Sequence, residues 1–193
     1  MQTNLFGKDL FEKMKSGGSS KMPSAIHTKI KLKDIDVSDT YVDIWFEDPS
    51  TSATINKRLW IPDIARTTAR EGMSVQETYE TRIHEELYHL LDLTKCMVGV
   101  EIASNIPIGG LKETALAIRT LLMPYVNTKF LNLKVTTTSD GKYPELSRFP
   151  GYLETYTEGE PTKLKFKPSE LSRMNLKNSV DDASSKANLD DLV

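Results

Sequence analysis

The sequence predicts a mainly β protein with a helical insertion, built as an OB-fold-like five-stranded barrel. Three observations predict it. Three segments near the start alternate in character like strands. The pattern then turns helical over about 62–127, and two more strand segments follow. Three strands, a helical region and two strands is the element order of that barrel. An α+β sheet with the same order is the alternative, because the insertion is long for the fold.

Residues 1–22 read as a flexible arm. Leu5, Phe6, Leu10, Phe11 and Met14 suit one short amphipathic helix, and Ser16 to Ser20, "SGGSS", is a linker. The barrel domain spans 23–167. "IHTKIKLKDIDV" (26–37) is the first strand, "YVDIWFED" (41–48) the second and "TINKRLWI" (54–61) the third, stopped by Pro62. Short loops between them imply an antiparallel meander.

The insertion opens with a helix over about 74–97. Ser74 with Glu77 forms a capping-box start, and Val75, Tyr79, Ile83, Leu87 and Leu91 give a stripe every four residues. A short strand is expected around Val98 to Ala103, then a second helix, "LKETALAIRTLL" (111–122), ended by Pro124. The closing strands are "TKFLNLKVTTT" (128–138) and "RFPGYLETYT" (148–157). From 168 to 193 the chain is polar and aperiodic and reads as a disordered acidic tail.

The first helix contains "TRIHEELYHLLD", close to the H-E-x-x-H zinc signature. Its histidines, His84 and His89, are five apart and diverge by roughly 140° around a helix. They do not share a metal without breaking it, and both are expected on the helix flanks. The single cysteine, Cys96, forms no paired-thiol motif and fits a reducing cytoplasm. The N-terminus lacks the apolar run of a signal peptide, and no stretch approaches the roughly 20 apolar residues of a membrane span. A net charge of −2 is uninformative as a total. Hydrophobic content of 38% is low for a chain folded throughout.

Alternation splits each strand into two faces. Ile26, Thr28, Ile30 and Leu32, then Val42, Ile44 and Phe46, then Ile55, Leu59 and Ile61, and later Leu131, Leu133 and Val135, form the core set. Lys57 falls out of place among them. The opposite face carries His27, Lys29, Lys31, Lys33, Tyr41, Trp45, Arg58, Trp60, Phe130 and Lys134. Cations neutralise phosphates, and flat aromatics stack on unpaired bases, which a duplex hides. These ten residues are the expected DNA-binding set. Asp43 and Glu47, on the same face, count against it. The bland reading packs Trp45 and Trp60 beneath the helices or against another subunit.

The tail ends "NLDDLV", paired aspartates followed by an apolar tip. The whole layout is similar to single-stranded DNA-binding proteins of bacteria and bacteriophages, which join an OB-fold to an acidic C-terminal tail. "RFPGYLETYTEGEPTKLKF" looks like the closing strand of small phage replication proteins in that group. The resemblance implies single-stranded DNA as ligand, in the cytoplasm (that of a host, if the protein is viral). It also implies that Asp190, Asp191, Leu192 and Val193 recruit replication partners such as a polymerase or helicase, and that the tail competes with DNA. No catalytic residue, metal or cofactor is expected, and homo-oligomers remain open. The rival readings are a small β-barrel protein-interaction or virion protein, and a nuclease or hydrolase, which would need clustered carboxylates.

Overall fold

The computed structural model describes residues 20–174. Its strands are β1 (Ile26–Val37), β2 (Tyr41–Glu47), β3 (Thr54–Trp60), β4 (Phe130–Thr137), β5 (Pro144–Leu146) and β6 (Leu153–Thr155). Helices α1 (Val75–Val98), α2 (Val100–Ala103) and α3 (Leu111–Leu122) lie between β3 and β4.

The long β1 organises the barrel. It pairs antiparallel with β4 from Ile26 to Lys31 and with β2 from Lys31 to Val37. Register shifts between His27 and Ile30 and between Leu32 and Asp34 make this possible. A bulge adds a residue, bends the strand and resets which side chains point inward. Ile30 and Leu32 are therefore buried, and after the second shift Ile35 is. At the first shift Lys29 takes φ 59°, a left-handed value uncommon outside glycine.

The strands run β3-β2-β1-β4-β5, with β6 also paired to β4. β5 comes back against β3 and nearly closes a five-stranded barrel. The architecture is thus the expected OB-fold-like barrel with inserted helices. Lys57, the misfit in the core set, is the seam residue: its Nζ donates across to the Ser147 carbonyl, 2.8 Å away. Core residues of all the main strands meet Leu87, Leu90, Leu93 and Met97 of α1 and Leu111, Ala115, Ile118 and Leu122 of α3 in one cluster.

Four details differ from expectation. The segment after α1 is the short helix α2, not a strand. Gly99, at φ 90° and ψ 165°, breaks the helical path in a conformation that side chains disfavour, and helix resumes beyond it. The last expected strand, 148–157, is ordered as the short β6, and an unexpected strand, β5, forms ahead of it from the end of the stretch read as a turn. The buried stripe of α1 is also displaced. Its capping box is formed as expected, but Val75 is exposed and the buried residues include Thr78, Leu87, His89, Leu90, Leu93, Thr94 and Met97. His89, expected on a flank, is only 2% exposed.

The fourth difference concerns the C-terminal boundary. Residues 161–167 run as a strap over the outer side of β4 and β6, and 168–174 are helical, where tail was expected from 168. Glu154 holds the strap by accepting from Thr162 Oγ1 at 2.6 Å and from the Lys163 amide. Residues 1–19, most of the expected arm, and 175–193, most of the tail, lie outside the described residues. No described helix is long and apolar enough to cross a membrane.

Candidate nucleic-acid interface

The outer face of β2 and β3 is set by their register. Tyr41 pairs with Trp60, Asp43 with Arg58 and Trp45 with Asn56. Antiparallel partners share a face, so these six side chains stand together. Trp60 is 58% exposed, and its ring meets Tyr41 edge-on with centroids 6.2 Å apart. The Arg58 guanidinium lies 4.1 Å from the Tyr41 ring centre and 5.5 Å from that of Trp60. Neither tryptophan is buried beneath the helices.

Asp43 fixes this cluster. It is buried, and it accepts from Arg58 Nε at 2.9 Å, from Arg58 Nη2 at 2.6 Å and from Asn56 Nδ2 at 3.0 Å. A two-point fork of this kind orients a guanidinium far better than a point charge does. The carboxylate that counted against the site by its charge thus acts as its positioning residue. This was legible only once the 43–58 pairing was known.

The lysine end of the face is partly neutralised. Lys31 and Lys33 converge on Glu47, at 2.7 and 2.8 Å. Their hydrogen bonds hold the Glu47 carboxyl below its usual range, against burial. Lys31 stands between Glu47 of β2 and Phe130 of β4. Lys29 is exposed, with its ammonium 5.8 Å from the Phe130 ring centre. His27 is half-buried at the β4 side, with Nε2 2.8 Å from the Pro23 carbonyl.

Two expected residues leave the face: His27 lies opposite the core residue Leu133, because the register shift after it inverts the alternation of the start of β1, and Lys134 is covered. Lys134 is 5% exposed and donates to both oxygens of Glu170, at 3.0 and 3.1 Å, and to the Lys165 carbonyl. Alternation placed it outward correctly, but the C-terminal strap covers that side of β4. The same covering buries Asn132, which donates to Glu154. Asp190, Asp191, Leu192 and Val193 lie outside the described residues.

Beside Trp45, a groove of about 370 Å³ runs between β3 and β5. Trp45, Asn56 and Arg58 line it with Lys21, Pro144 and Glu145. Lys21 carries no signal in the sequence, because it reaches the groove by pairing with Thr54 of β3.

The near-motif of α1 separates in space: His84 is exposed and His89 is buried. The Arg148 carbonyl can only accept, so His89 Nε2, 2.8 Å from it, carries the hydrogen. Burial, reinforced by the Lys57 charge, lowers the His89 pKa to about 4. Burial and Asp92 push the Cys96 thiol up to about 11, far from a reactive thiolate. Among the described residues no three of His, Cys, Asp or Glu lie together as a metal site.

No protein-family model, curated protein or solved structure matches the chain.

Proposed function

We propose that the protein binds unpaired nucleic acid, single-stranded DNA foremost, across the outer face of β2 and β3. The observation that carries this reading is the exposed Trp60 beside Tyr41, with the Arg58 guanidinium held over both rings by Asp43. Solvent-facing rings with a fixed cation between them suit bases that stack and a phosphate that passes alongside. A duplex offers no base faces to such a platform. The lysine end extends the path, and Glu47 keeps its charge low. Binding on this face is therefore led by stacking more than by charge. Few groups on it are set for base-edge readout, so the preference among sequences is weak.

The test is a titration with oligo-dT, followed by tryptophan fluorescence. Quenching that saturates, with weaker binding to duplex of equal length, supports the reading. Absence of binding at low salt, even after removal of 178–193, overturns it.

A second, protein-binding reading draws on a different surface. Tyr88, Val100, Ile108 and Phe149 are exposed, and the first three are close to an apolar groove between α1 and α2. Replacing Tyr88 and Ile108 by Ser separates the readings. DNA affinity stays unchanged if the barrel face is the site.

A further inference from the structure

β3 has two edges, and one of them is open over a short stretch. Toward β2 it is paired from Thr54 to Trp60. On the other edge Thr54 donates to the Ser20 carbonyl at 2.9 Å and accepts from the Met22 amide at 3.1 Å. In an antiparallel strand, alternate residues turn both main-chain groups to the same edge. Asn56, Arg58 and Trp60 therefore share the edge of Thr54. The Trp60 amide meets the Glu86 carboxylate. Between these two closures the N–H and C=O of Asn56 and Arg58 have no partner among the described residues.

These open groups face the groove between β3 and β5. Trp45 supplies an aromatic wall there, and Lys21, Lys57 and Arg58 supply positive charge. Glu145 of β5 is the one carboxylate among its lining residues. It repels a phosphate but not a neutral base. β3 and β5 are already in contact along the seam, which leaves no space for a whole extra strand.

We propose that this groove takes one nucleobase of the bound strand, and that the open main chain of Asn56 or Arg58 hydrogen-bonds its pairing edge. The inference rests on the nucleic-acid reading above and specifies how that strand is recognised. In an extended residue the N–H and C=O of one edge lie side by side. Each nucleobase carries a donor beside an acceptor on its pairing edge: N6–H and N1 of adenine, N4–H and N3 of cytosine, N3–H and O4 of thymine, N1–H and O6 of guanine. One residue of β3 thus satisfies any of the four. In a duplex that edge is taken by the complementary base. The contact therefore selects unpaired over paired DNA and is nearly indifferent to sequence. Lys21 and Arg58 neutralise the flanking phosphates.

The experiment leaves the protein unaltered and changes the ligand. The full chain is titrated with oligo-dT and with N3-methylthymidine oligomers of the same length. The methylated strand keeps every phosphate and ring face and loses the N3–H donor. The expected result is binding about ten-fold weaker, as for one lost hydrogen bond that leaves its partner unsatisfied. Amide exchange at whichever of Asn56 and Arg58 holds the base should slow with oligo-dT and not with the methylated strand. Equal affinity for the two strands overturns the pairing-edge contact and leaves the stacking face standing. Failure of both to bind overturns the contact together with the nucleic-acid reading.

Discussion

In the proposed binding, Trp60 and Glu47 are expected to act on opposite sides of the balance at the face. Trp60 is mostly in solvent, so the fold loses little without it, whereas a base stacked on it loses its platform. Trp60→Ala is expected to cost about 1–3 kcal/mol of oligo-dT binding, with the thermal midpoint nearly unchanged. Calorimetry and a melting curve on the same sample check both halves. Glu47 holds Lys31 and Lys33, which under the proposed function would otherwise be free to meet phosphates. Glu47→Gln frees them, so binding tightens and its logarithmic salt dependence steepens by about 0.7 for each further phosphate neutralised. A titration series in salt reads that slope, and an unchanged slope would mean that phosphates do not approach this end. At this scale the sequence was informative wherever a strand was regular. Tyr41, Trp45, Arg58 and Trp60 share the outer face of β2 and β3 as alternation predicted. Lys134 shows where alternation stops: the segment that buries it comes about 30 residues later in the chain.

Among the elements, α1 shows the same split. Its start is local chemistry, and Ser74 with Glu77 was readable as a cap. Its buried face is set by the barrel end it covers. The stripe from Val75 to Leu91 steps by four, which drifts about 40° per step on a helix of 3.6 residues per turn. Such a row winds off the packed face, and only Leu87 of the five is buried. His89, read as surface, is locked between α1 and the loop before β6, with its ring 5.7 Å from that of Tyr152. Its folded pKa, about 4, lies below the usual 6.5, so the fold favours the neutral ring. That stability is fully present above pH 6.5 and is lost as pH falls from 6.5 toward 4. Between pH 7 and 5 the loss from this residue is about 2 kcal/mol. His89→Gln keeps a donor for the Arg148 carbonyl and removes the titration. Urea unfolding of both proteins at the two pH values measures the difference. An equal drop in the two would assign the acid sensitivity to other groups.

For the whole molecule, the strap carries the described chain from the outer side of β4 toward the groove between β3 and β5. The strap crosses β4, pins Glu170 onto Lys134 and leads to Arg173, whose guanidinium is 3.9 Å from Glu145 in the lining of the β3–β5 groove. The last described turn therefore lies beside the proposed binding site. The chain beyond it carries Asp181, Asp182, Asp190 and Asp191 against Lys177 and Lys186. Under the proposed function, a tethered acidic segment that starts there is expected to act at high effective concentration on Lys21, Lys31, Lys33 and Arg58. It would then compete with phosphate, and the competition would weaken as salt screens it. Truncation after Lys177 is therefore expected to tighten oligo-dT binding several-fold at low salt and to have little effect at high salt. Leu192 and Val193 add nothing to that electrostatic competition, so replacing both by Ser should leave DNA affinity as it is. A replication partner recruited by the apolar tip would, in contrast, lose binding to the Ser variant. Equal DNA affinity of the full and truncated chains at every salt concentration would show that the acidic segment does not reach the face.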